Sequence, residues 1–186
     1  MLTGILSIFL MVQAPVQGRP VSEARTAPVQ PRTGDAAVLG AINAADASIT
    51  EAAKLASTKA GGGDVRSLAS TMVTDHRKSL TEGGRLAKAL GITRALPTDT
   101  VLTHAHETAM HELNLLSGSA FDARFIQCII AEHQTVIKLL EGSLGSTATR
   151  PEVRQFLAQQ LPLLHSHLAA AEKWQAAHPS APTRKP

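Results

Sequence analysis

A histidine on the apolar stripe of a helix occurs twice in this chain, and this constrains the fold more than any other feature. From Val65, steps of three or four residues connect Leu68, Ala69, Met72, His76, Leu80, Gly83, Ala87 and Leu90. That period is the mark of an amphipathic helix, and His76 stands where a core residue belongs. The segment Met72-Val-Thr-Asp-His76 returns as Ile129-Ile-Ala-Glu-His133: two apolar residues, a small one, an acid, then histidine. In the second copy the stripe runs through Ile126, Ile129, His133, Val136 or Ile137, and Leu140. Two similar helices with inward histidines predict a helix-on-helix core that holds a polar layer.

Composition agrees. Hydrophobic residues make up 44% of the 186, aromatics only 3%, and there is no Tyr. A core of Ala, Leu, Val and Ile suits closely apposed helices, and Ala favours the helix intrinsically. Alternating β-branched runs are absent, which predicts almost no strand. The formal charge is +3. No Lys/Arg stripe forms and few aromatics could stack on bases, so nucleic acid is not an expected partner. The single Cys128 has no intramolecular disulfide partner and reads as a small buried hydrophobe.

Met1 to Val12, MLTGILSIFLMV, is apolar but shorter than the roughly 20 residues that span a bilayer. It fits the apolar region of a secretory signal peptide, here residues 1–18, with an uncleaved N-terminal anchor as the alternative. Export to the periplasm or outer envelope follows, and membrane association would run through this segment. Residues 19–34 read as a disordered linker. The stretch from Pro15 to about Gly34 has prolines at 15, 20, 28 and 31 and no apolar period.

The bundle domain is expected over residues 35–178, with a disordered tail at 179–186. Its first helix runs from an N-cap at Asp35 to about Ala60, with Val38, Ala41 or Ile42, Ala45, Ile49, Ala52 and Ala56 inward and Glu51 beside the stripe. Gly61-Gly-Gly63 stops it, and Asp64 caps a second helix that runs to Leu90, with Gly91 as the stop. Gly83-Gly84 within the second helix points to a bend or a close approach. A shorter third helix covers about Asp99 to Leu116, with His104, Glu107 and His111 on a solvated face. A fourth runs from about Ser119 to Leu140, where Ser119 and Asp122 resemble a capping box. The fifth begins at Arg150-Pro151 and carries Pro162, which should kink it. Four long helices and one extra short helix define an all-α, antiparallel four-helix bundle.

At this point four motifs carry a resemblance: Ala69-Ser-Thr-Met-Val-Thr-Asp-His76, then Leu116-Ser-Gly-Ser-Ala-Phe-Asp122, then His133, then Leu161-Pro-Leu-Leu-His-Ser-His-Leu168. In order, over about Asp46 to Trp174, they resemble the domain of unknown function 4142 family of exported bacterial proteins. The resemblance implies a ferritin-like fold and no settled activity. It also places His167, rather than His165, at the family's histidine position. Where the family often has Tyr after its Phe-Asp, this chain has Phe125.

Can such a layer bind metal? The di-iron pattern needs Glu-x-x-His on two helices. Here the acid directly precedes each histidine, as Asp75-His76 and Glu132-His133, and neighbours on a helix diverge by about 100°. Val73 and Ile130 stand where the di-iron acids belong, so that chemistry is not expected. A poorer site remains: His76, His133 and His167 with Glu51, or with Asp75 or Glu132, as ligands for a transition metal ion such as Zn, Cu or Fe. Asp75 and Glu132 are alternatively groups that orient a neighbouring histidine. The competing reading is a structural His/acid layer that fixes register without metal. Two functions therefore stand side by side. One is a non-enzymatic envelope or stress-related module, the other a ferritin-like metal-binding protein. No phosphate loop or nucleophile elbow accompanies them. A Cys128/His133 pair diverges by about 140° on a helix, a poor dyad.

Overall fold

The computed structural model describes residues 34–92 and 101–179. The signal or anchor segment, nearly all of the linker and nearly all of the tail lie outside these residues. So does the predicted loop before the third helix. Five α-helices account for almost all of the described chain: α1 (Asp35–Lys59), α2 (Gly63–Ala89), α3 (Val101–Leu115), α4 (Gly118–Glu141) and α5 (Pro151–Ala177), with a short 3₁₀ turn at Gly145–Thr147. Among the described residues there is no strand, only an isolated bridge between Ala60 and Gly118.

Two helical hairpins make the bundle. The turn Ala60–Gly62 folds α2 back on α1, and the loop after Glu141 folds α5 back on α4. Each long helix touches two others along its length: α1 borders α2 and α4, and α5 borders α4 and α2. Every neighbouring pair is antiparallel. The start of α1 meets the start of α5 through Asp35, and the end of α1 meets the start of α4 at Ala60 and Gly118. The chain between α2 and α4, α3 included, therefore returns along the bundle. One long crossover joining two hairpins is the ferritin-like connection. The short α3 lies against α4 and α1.

The core is the one the periodicity predicts. Val65, Ala69, Met72 and Ala87 of α2 are buried, as are Ile126, Ile129, Val136, Ile137 and Leu140 of α4. Phe121 and Phe125 are fully enclosed, and burying each such side chain favours folding by roughly 1.5–3 kcal/mol. Gly83 marks a close approach of α2 to α1 and α5. A Cβ there would stand 2.5 Å from Asn43 Oδ1 and 3.2 Å from the Phe156 ring, whereas Gly84 faces open space. The pair serves close approach rather than a bend. α2 ends on Gly91 at φ 64°, with Ile92 N–H bonded to Ala87 O and Gly91 N–H to Lys88 O. This is a Schellman stop, and Ile92 packs on the core beside it.

Three expected caps work differently. Asp35 does not cap its own helix. Its carboxylate accepts from the Thr149 and Arg150 N–H groups and the Thr149 hydroxyl, tying α1 to the start of α5. Asp64 lies inside the first turn of α2 and accepts from Val65 N–H and from Trp174 Nε1–H at the end of α5. Asp122 makes no capping box. It is buried in α4, and its two oxygens accept the Gly61 and Gly62 N–H groups at 2.8 and 2.7 Å. All three acids therefore join helices, an outcome that local sequence patterns cannot distinguish from self-capping. Pro162 does not break α5, which runs continuously through it.

Candidate metal centre

The register of the hairpins decides what meets at mid-bundle. In an antiparallel hairpin, residues equally far from the turn face each other. Asp46 and His76 lie fifteen residues either side of Gly61. The α4–α5 connection, residues 142–150, is longer and includes the 3₁₀ turn, so His133 and His167 meet at unequal distances from it, their ring centroids 5.6 Å apart. Side by side, the hairpins bring these four side chains into one layer, and all are buried.

His76, His133 and His167 form a cluster. Their ring centroids are 5.0–5.6 Å apart, and one nitrogen from each lies within 4.8 Å of the others. Each ring has a partner on its far side. His76 Nδ1 is 2.8 Å from Asp46 Oδ1, and His167 Nε2 is 3.0 Å from Asp75 Oδ2. His133 Nδ1 is 2.9 Å from the carbonyl of Ile129, one turn earlier in α4. Carboxylates and carbonyls only accept hydrogen bonds, so these three nitrogens carry the protons. In the neutral rings, His76 Nε2, His167 Nδ1 and His133 Nε2 are then left bare.

Two of the bare nitrogens, His76 Nε2 and His167 Nδ1, face each other at 3.1 Å. Lone pairs do not meet at that distance unless a proton or a cation lies between them. The third, His133 Nε2, is fully enclosed and has no hydrogen-bond partner. Leaving a buried acceptor unpaired costs about 1–3 kcal/mol, so the site is short of a positive centre. A metal bound to two imidazole nitrogens at about 2.0–2.1 Å holds them about 3.4 Å apart in tetrahedral geometry, close to the spacing already present. Three nitrogen donors, each fixed by a partner on its opposite side, suit a borderline transition ion.

The electrostatics favour neutral His133 and His167. Burial lowers the His133 pKa to about 3, with His76 reinforcing the effect. His167 is also lowered, by burial first and then by His76, although its Asp75 partner opposes the shift. Neutral imidazole is the ligating form, so two of the three donors are ready at neutral pH.

Of the acids expected as ligands, only Asp75 reaches this cluster, and it serves as the partner of His167 rather than as a direct donor to the centre. Glu51 does not belong to it. Its side chain is 64% exposed and pairs with His106 at 3.0 Å. Glu132 is turned toward α1 as well, where it accepts the Ser48 hydroxyl, and burial raises its pKa. Both stand on the flanks of α1 and α4 that face α3, about 100° round from the core stripe. The carboxylate that α1 does bring to the layer is Asp46, which orients His76 rather than facing the centre and whose second oxygen accepts the Ser79 hydroxyl at 2.5 Å. Asp46 had a sequence signal: it lies four residues after Ile42 and three before Ile49, both on the core stripe.

The remaining polar residues lie apart. His104 and Glu107 are exposed and 3.7 Å apart, and His111 is exposed. His165 is half-exposed and bonds to Glu141. Cys128 is half-buried, and burial raises its pKa, keeping it a thiol. It lines a small pocket of about 180 Å³ between α3 and α4. Trp174 is a partly buried plug at the bundle end, stacked on His178.

Fold and site together define an all-helical bundle with three buried histidines at its centre. The chain belongs to the family described as Domain of unknown function (DUF4142), whose model matches residues 20–174. No curated protein and no solved structure matches it.

Proposed function

We propose that this protein is a non-enzymatic, exported helical bundle that binds one borderline divalent transition ion, such as Zn or Cu, through His76, His133 and His167. The observation that carries this reading is the enclosed, unpartnered Nε2 of His133, in the same three-histidine cluster as a pair of bare nitrogens 3.1 Å apart. Asp46 and Asp75 add two negative charges beside neutral ligands, which a divalent ion balances. Three imidazole nitrogens, with no carboxylate or thiolate among the ligands, favour Zn or Cu over hard ions such as Mg and Ca. Export is supported by the apolar run at Met1 to Val12, and an envelope or stress-related role would follow from it.

A second reading has its own observation. A single proton between His76 and His167 would complete a chain from Asp46 through both rings to Asp75, and the layer would be purely structural. Thermal melting of metal-free protein with and without excess Zn or Cu separates the two. At about 100 times Kd, binding adds ~2.7 kcal/mol, or roughly 5–10 °C for a domain of this size. The gain should vanish in His133→Ala. A melting temperature indifferent to every ion favours the structural layer.

A further inference from the structure

An ion bound at this centre needs a way in, because the three histidines are almost wholly enclosed. Of the two carboxylates that hold them, Asp46 is buried, while the Asp75 side chain is 33% exposed. Asp75 opens onto a groove of about 410 Å³ between α2 and α5, lined by Asp75, Lys78, Ser79 and Glu82 on one side and Gln159, Gln160 and Leu163 on the other, with exposed Lys78 paired to Glu82 at 4.0 Å. Two of these residues bond directly to partners of the centre: Asp75 to His167, and Ser79 to Asp46. Gln160 is itself buried and lines the inner wall. Two further pockets lie against α3, on the Glu132 and Glu51 flank.

Resting on the metal reading above, we infer that a hydrated divalent cation enters and leaves the three-histidine centre through the α2–α5 groove, with Asp75 as the carboxylate that takes it from water. The groove offers oxygen donors in sequence. Glu82 stands two turns along α2 from Asp75 on the same face, and the Ser79 hydroxyl and Gln160 amide lie within. An aqua ion exchanges its waters stepwise against these groups. Asp75 then releases the His167 N–H as it takes the charge. This frees the His167 ring, the least buried of the three, to turn its bare Nδ1 onto the ion. Asp75 and Ser79 positions thus serve both transfer and final geometry, while Glu82 and Leu163 serve transfer alone.

The test measures how fast the metal-free full-length protein takes up Zn²⁺ from solution and loses it to a chelator. Glu82→Lys reverses charge at the groove mouth, Leu163→Trp fills the groove from a half-buried position, and Glu51→Lys makes the same charge change on the α3 flank. Both groove variants should slow loading about tenfold or more while equilibrium affinity stays within about twofold. Both should slow release to a similar degree, as an unchanged affinity requires, and Glu51→Lys should load like the parent. Wild-type loading rates in both groove variants, or equal slowing in Glu51→Lys, overturn the route and leave the metal site standing. A parent protein that takes up no ion removes the site and the route together.

Discussion

His76 Nε2 and His167 Nδ1 face each other at 3.1 Å, each ring tied on its far side to a separate aspartate, Asp46 and Asp75. The arrangement fixes both tautomers, so that the two nitrogens without protons are the ones that converge. His133 does the same by donating to its own helix, with no carboxylate needed. The centre is therefore set by what stands behind the rings as much as by the rings themselves.

Removing one of those supports should weaken an ion without abolishing it. Asp46→Asn keeps the shape but replaces an acceptor-only group, and should cost about 10–100-fold in Zn affinity. Glu51→Gln and Glu132→Gln, on the α3 flank, should leave affinity unchanged. Competition titrations against a chelator of known affinity check all three.

Acid should destabilise the metal-free protein through His133. Its folded pKa, about 3, lies below the unfolded value near 6.5. Above pH 6.5 neither state is protonated and nothing is lost. Below it the unfolded chain takes up a proton that the native state refuses, so stability falls by ~1.4 kcal/mol per pH unit until about pH 3. Urea unfolding at pH 7, 6 and 5 should show this slope. In His133→Gln it should be shallower by about one proton, with the contribution of His167 remaining.

Gly83 and Gly84 should respond oppositely to alanine. At Gly83 the added methyl meets Asn43 and Phe156, and overpacking of that kind costs about 1–3 kcal/mol, more than the helix gains. At Gly84 nothing stands in the way, and alanine should add about 0.5–1 kcal/mol. Chemical denaturation of the two variants settles the pair.

Asp122→Ala should rank among the most destabilising changes outside the centre, at ~3 kcal/mol. It removes a buried carboxylate that accepts two backbone N–H groups of the α1–α2 turn. Because that turn sets the register placing Asp46 opposite His76, the variant should also lose metal affinity. A joint measurement of melting and Zn binding tests the link.

The long helices were legible because their stripes are unbroken by charge: His76 and His133 stood out as the exceptions in otherwise apolar rows. His167 was reached through the family resemblance, since α5 carries two histidines two residues apart and periodicity alone did not choose between them. Asp46 was overlooked for the opposite reason. An acid reads as surface even in register with the core stripe, as Asp46 is between Ile42 and Ile49, until the hairpin is closed around Gly61. Glu51 and Glu132 were misplaced because being near the stripe in sequence does not say which flank faces α3. Asp35, Asp64 and Asp122 sit where self-caps belong, and only the approach of another helix reveals that they bond elsewhere.

The most direct measurement is metal content. The full-length protein, purified without a His tag and passed through a desalting column after incubation with Zn or Cu, should retain about one ion per chain by elemental analysis, and His133→Ala should retain none. No retained ion in the parent, or equal retention in His133→Ala, would contradict a metal centre built on His76, His133 and His167.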